Sequence, residues 1–236
     1  MRPAANAVNF PFVSHSTATP QALKGFRMRW LFTIVLTLVA LSGGALPGHA
    51  ARPHTREGWV VGVAYGPATA RVVGADSLTS DWLDGPAQSI RIGRMFGHHF
   101  KVGYEHQAYV REQGFYDLKV RVGTQLEALA VTAYLGQPDR ALGGLFVVAG
   151  TGPARCRLTF LEPLAPGESP IGDTYEIVYK QDEFGWGGFG GVGYEFQITR
   201  SFAASAVATY NYLGIGGSIF DNAVFVPLTA SLNWSF

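Results

Sequence analysis

From Gly58 onward the chain is written in short stretches where apolar and polar or small residues take turns. Trp59, Val61, Val63 and Tyr65 alternate with Gly58, Val60, Gly62 and Ala64. A period of two places successive side chains on opposite faces, so each such stretch predicts a strand with two unlike faces. "QSIRIGRMFG" and "HFKVGYEHQAYV" follow, joined tightly at Gly97-His98-His99. In the latter, Phe100, Val102, Tyr104, Ala108 and Val110 oppose Lys101, Gly103, Glu105, Gln107 and Tyr109. "LKVRVGTQLEALAVTAYL" sets Leu118, Val120, Val122, Leu126 and Tyr134 against Lys119, Arg121, Gln125 and Glu127. Four more strands are predicted in "LFVVAGTGPARC", "FGWGGFGGVGYEF", "FAASAVATYNYL" and "VPLTASLNWSF".

The connections alternate as well. Long segments over 66–87 and 157–183, the second carrying Pro163, Pro166 and Pro170, contrast with short ones at 98–99, 136–142 and 197–201. An even strand count with long links at one end and short turns at the other predicts an all-β fold: an eight-stranded antiparallel up-and-down transmembrane β-barrel. Both ends of the barrel segment then fall on the short-turn side.

The residues before Gly58 read differently. Arg27 and Arg29 precede an apolar run from Trp30 to Leu41, and Gly48-His49-Ala50 forms a small-x-small site. That order is a secretory signal peptide, with Met28 as a plausible start and cleavage expected after Ala50. The domains are then 1–50, leader and signal peptide, and 51–236, the barrel. All 17 acids but only 14 of the 18 Lys and Arg follow Ala50, a balance of 14 − 17 = −3. This gives no support for a nucleic-acid partner. Cys156 is the single cysteine, read as a packed strand residue. No metal, cofactor or nucleophile-elbow motif is present, so neither cofactor, metal nor catalytic residues are expected.

Residue type orients the faces. In a membrane barrel lipid surrounds the wall, so the polar parity turns inward. The expected lumen charge network is Arg91, Lys101, Glu105, Lys119, Arg121, Glu127 and Glu195, with Glu105 and Glu127 paired to Lys119 and Arg121. The apolar parity is rich in Trp59, Tyr65, Phe96, Phe100, Tyr104, Tyr134, Trp186, Tyr194, Phe202, Tyr210, Tyr212, Trp234 and Phe236, as aromatic girdles require. Arg94 and His106 break the rule, falling on the lipid parity.

The signal peptide, the strand rhythm, the glycine-aromatic repeats "GTGPAR" and "GGVGYEF" and the ending "SLNWSF" together resemble the small eight-stranded outer-membrane barrels related to the OmpA transmembrane domain and OmpX. The resemblance implies a bacterial outer-membrane location, outer-membrane lipid and lipopolysaccharide as surroundings, and a C-terminal insertion signal at Trp234 and Phe236 read by the barrel-assembly machinery. The expected function is a non-catalytic integral barrel with a structural or surface-binding role and an unidentified surface ligand. An outer-leaflet lipid A deacylase is the alternative, because His106 faces lipid. The deacylase barrels carry His-x-Ser, and this chain has Ala108 at the serine position. A small pore is the weakest alternative, since an eight-stranded lumen is filled by side chains.

Overall fold

The computed structural model describes residues 58–76, 79–115, 118–136, 143–163, 175–199 and 201–236. The expected leader and its cleavage point lie outside them. Eight strands follow in chain order: β1 (Trp59–Gly74), β2 (Leu83–Phe96), β3 (Phe100–Phe115), β4 (Leu118–Tyr134), β5 (Leu145–Pro163), β6 (Tyr175–Gln197), β7 (Phe202–Gly214) and β8 (Phe220–Ser235). Each pairs with the next, and β1 pairs with β8, so the sheet is a closed up-and-down barrel. The seam is well stitched: Val61 lies opposite Trp234 and Thr69 opposite Val226. Trp59 and Phe236 exchange backbone hydrogen bonds of 2.9 and 3.0 Å. Closure leaves no unpaired ladder inside a bilayer, the condition for spanning lipid with strands.

Alternation becomes two surfaces. Val63, Ile90, Ile92, Leu129, Val131, Val147, Val192 and Leu232 are exposed on the outside. Ser89, Arg91, Glu105, Gln107, Glu195, Ser205, Thr209, Ser231 and Asn233 are buried inside. Most outward aromatics gather at two heights, with Tyr65 and Tyr104 exposed between them. Trp59, Phe96, Phe100, Phe196, Phe202, Trp234 and Phe236 ring the end where β1 starts, hereafter proximal; Trp186, Tyr210 and Tyr212 stand toward the distal end. Ten residues of β6 separate Trp186 from Phe196, about 24 Å along the axis for tilted strands. That equals the roughly 25 Å apolar band of membrane barrels.

The glycines of β5 and β6 make room for lumenal rings. A methyl on Gly150 would overlap the Phe189 ring, and one on Gly193 would overlap Phe146. Two flat side chains thereby fill a space that Cβ-bearing strands would close.

The links differ from expectation. Most of 66–87 and 157–183 is strand: β1 continues to Gly74, β2 starts at Leu83, β5 reaches Pro163 and β6 begins at Tyr175. The long/short alternation also fails. The proximal link between β4 and β5 has ten residues (135–144), whereas the distal link between β3 and β4 has two (116–117). In 157–163 and 175–183, Pro163 and the charges mark exposure to water rather than loss of the ladder; Pro166 and Pro170 lie outside the described residues.

Candidate functional site

The lumen is layered. Near its middle, Arg91 Nη2 approaches Glu105 Oε1 at 3.3 Å, and Gln107 Nε2 donates to the same oxygen at 3.1 Å. Proximally, Tyr134 Oη and Asn233 Nδ2 donate to Glu195 Oε2 at 3.1 and 3.3 Å. Lys101 lies half-buried on the lumenal parity at the proximal rim, opposite Met95 and Thr132. Distally the filling turns apolar: Tyr109, Leu126, Leu213 and Phe225 are completely buried, with Tyr109 and Phe225 stacked at 6.3 Å. A void of about 10 Å³ beside Arg91, Glu105, Gln107 and Thr209 is room for about one water. Cys156 is buried and free in the same apolar layer.

Three members of the expected charge network stand on the other side of the wall. Register decides this: Glu127 pairs with His106 and Arg121 with Glu112, so Glu127, Arg121 and Lys119 of β4 share the outward face with His106 and Glu112 of β3. Leu126 and Tyr134 take the lumen instead. The expected pairing of Glu105 and Glu127 with Lys119 and Arg121 is therefore replaced. Glu105 meets Arg91, Arg121 Nε donates to Glu112 at 2.7 Å, and Lys119 Nζ sits 3.7 Å above the Tyr175 ring.

On the lipid side, His106 Nδ1 lies 2.7 Å from Glu127 Oε1, while the Tyr104 hydroxyl donates to Glu127 Oε2. Neighbouring Thr151 accepts from Trp186 Nε1 at 2.8 Å. Just beyond Trp186, Arg155 donates to Gln125, and Arg157 grips Asp182 through Nε at 2.6 Å and Nη2 at 3.3 Å. Arg155 and Lys180 approach the same carboxylate at 3.8 and 3.9 Å. The Arg157 hydrogen bond, outweighing desolvation and joined by the fields of Arg157, Arg155 and Lys180, holds the Asp182 carboxyl below the ordinary range. The sequence places Arg157, Lys180 and Asp182 in the expected link over 157–183, as charges of a solvated loop. "RCR" in β5 and "KQD" in β6 were the signal of the group, two residues apart and hence on one face.

Past the distal girdle, β3, β4, β5 and β6 rise as a protruding sheet. β7 partners β6 only as far as Trp186, opposite Gly214, while β5 partners it up to Tyr175. Among the described residues the stretch Tyr175–Asp182 is therefore an edge, with Ile177, Val178, Tyr179 and Lys180 exposed. Below it, Glu183 accepts backbone N–H bonds from Ser218, Ile219 and Phe220 at 2.8 to 2.9 Å and the Ser218 hydroxyl at 2.7 Å. Desolvation pushes this carboxyl up, but those donors outweigh it and leave it below the ordinary range.

A polar filled lumen, an apolar wall of bilayer height and two aromatic girdles are now together. The fold is that of a small outer-membrane β-barrel. Comparison with known proteins finds distant structural likenesses. The solved structure of Ail, the attachment invasion locus protein of Yersinia pestis, in complex with the heparin analogue sucrose octasulfate, shares 13% identity over 76% of this chain and 99% of that one, with a TM-score of 0.48. Neisserial surface protein A shares 15% over 75% and 97%, with a TM-score of 0.43. The N-terminal barrel domain of OprF from Pseudomonas aeruginosa shares 14% over 76% and 98%, with a TM-score of 0.39. No family model and no curated protein matches the chain.

Proposed function

We propose that this chain is a non-catalytic integral protein of the bacterial outer membrane that presents its protruding sheet to a partner outside the cell. The observation that carries the reading is the open edge of β6. An edge strand exposes a row of backbone donors and acceptors, which natural proteins cover or blunt unless a partner uses it. Tyr175, Ile177, Val178 and Tyr179 supply the β-branched and aromatic side chains that strand addition favours. Lys180 is a partial blunt. The strand ending at Trp234 and Phe236 serves insertion as well as closure in this proposal, as the signal read by the assembly machinery.

Cells displaying the protein should adhere to immobilised extracellular proteins. Ile177→Lys with Tyr179→Lys should abolish adhesion while the barrel stays folded by heat-dependent gel mobility. Undiminished adhesion in that variant contradicts the reading.

The His106–Glu127 pair favours a second reading, an outer-leaflet hydrolase, because a carboxylate at Nδ1 is the usual orienter of a histidine base. The nucleophile position stays Ala108. Loss of acyl chains from lipid A in the presence of the protein, abolished by His106→Ala, would establish that reading and displace the first.

A further inference from the structure

The outward polar groups of β3 to β6 form one continuous strip. It begins inside the apolar band at Tyr104, with Thr151 beside Leu129, climbs through Glu127 and His106, passes Gln125 and Arg155, and ends at Arg157, Asp182 and Lys180. Around the rest of the wall the same heights carry Val63, Ile90, Ile92, Val192 and Leu232. Polar side chains facing hydrocarbon are unfavourable, and an ionisable residue at membrane depth marks a site.

We propose that this strip binds a phosphorylated glycolipid of the outer leaflet, its phosphates at Arg155, Arg157 and Lys180 and its acyl-linkage oxygens at His106. The proposal rests on reading the chain as an outer-membrane barrel.

Two observations point to that chemistry. Arg155, Arg157 and Lys180 all converge on Asp182, three cations on one carboxylate. Among the described residues Asp182 is the one carboxylate within 4 Å of these three cations, and Arg adds the planar fork that suits phosphate oxygens. Their height fits too. Pro153 pairs with Trp186 of the distal girdle, and Arg155 and Arg157 lie two and four residues further out on β5, at headgroup level.

The lower end of the strip separates a glycolipid from an ordinary phospholipid. Glu127 engages His106 through Nδ1, and Nε2 has no hydrogen bond among the described residues. His106 is four residues inward of Val110, about 10 Å below the girdle level for tilted strands. Both lipid classes carry acyl-linkage oxygens near the headgroup, but a branched acyl chain on a glycolipid carries a further ester part-way down the tail, whereas glycerophospholipid tails below the glycerol esters are hydrocarbon.

The test uses the folded mature chain in phosphatidylcholine nanodiscs, offered lipopolysaccharide or phosphatidylglycerol at equal phosphate, with retained lipid counted by native mass spectrometry. The wild type should retain lipopolysaccharide in preference. Arg155→Gln with Arg157→Gln should cut that retention about tenfold. His106→Phe with Glu127→Leu, both lipid-compatible, should cut it several-fold and leave phosphatidylglycerol unchanged. Lys180→Gln, whose one carboxylate contact among the described residues is 3.9 Å long, should fold and weaken the same retention. Equal retention of the two lipids, or unaltered preference in the folded variants, overturns the proposal. Neither result touches the β6 edge, which is tested through Ile177 and Tyr179.

Discussion

The wall around Ile92, Val131 and Val192 and the wall around Arg121, Arg157 and Lys180 are built by neighbouring strands of one sheet, yet they follow opposite rules. Behind the first, the lumen holds Arg91, Glu105, Gln107 and Glu195; behind the second, it holds Leu126, Leu213 and Phe225. Moving distally toward and past Trp186, the molecule changes from polar-in, apolar-out to a mainly apolar filling with charge outside, the buried exception being Glu183, whose carboxylate is held by the Ser218–Phe220 donors. The backbone does not change. What changes is the solvent touching the outside, hydrocarbon below the girdle and water above it, and each face takes the composition its surroundings favour.

The sharpest way to break this comparison is to hollow the distal core. Phe225→Ala should destabilise the barrel by about 3–5 kcal/mol, the usual range for a fully buried phenylalanine, measured by urea unfolding in vesicles. A loss under about 1 kcal/mol would mean that the distal filling is not a packed core.

Next in size comes charge on the outer face. Leu129→Arg, near mid-band, should lower stability by about 2–4 kcal/mol, whereas Ile177→Arg above the girdle should change it by less than about 0.5 kcal/mol. Equal effects at the two sites would erase the distinction between the regions.

These expectations also show what the sequence could and could not say. Strands, count, closure and membrane placement were legible because period two and the girdle aromatics are local signals. The phase of β4 was not. Val120, Val122 and Leu126 share one parity, but Leu129, Val131 and Ala133 occupy the other, so both faces read as apolar. Only its pairing with β3, opposite Tyr104 and His106, fixes Glu127 outside. Lys119 and Arg121 misled for a related reason: they stand where water, not lipid, touches the wall, so their charge says nothing about the lumen. Pro163 similarly suggested a loop, although β5 and β6 stay paired from Leu145–Tyr194 to Pro163–Tyr175. The phosphate-binding candidate needs residues from β5 and β6 brought side by side, a long-range fact no single window contains.

A smaller effect tests the polar layer. Arg91→Leu leaves Glu105 with only its Gln107 donor, and should cost about 1–3 kcal/mol. Arg91→Leu combined with Glu105→Leu should recover much of that loss, because an apolar pair removes the buried charge altogether.

The smallest effect is local and depends on pH. Glu183 and Asp182 have folded-state carboxyls below their ordinary range, so each contributes stability at pH values above the unfolded carboxylate range. That contribution is lost as pH falls through the depressed folded value, below about 4. Amide exchange at Ser218, Ile219 and Phe220 should accelerate in that acid window and not between pH 6 and 8. In Glu183→Gln the acid step should vanish; an unchanged step would assign it to another group.

The inversion at the distal girdle is most directly tested with spin labels at Val63→Cys, Leu129→Cys and Ile177→Cys in a Cys156→Ala background, with the barrel folded in bilayers. Labels at 63 and 129 should collide with dissolved oxygen and be shielded from a water-soluble nickel chelate, while the label at 177 should show the reverse. Ready access of the nickel chelate to 63 and 129 would mean that water, not lipid, surrounds the apolar wall, and would contradict the account.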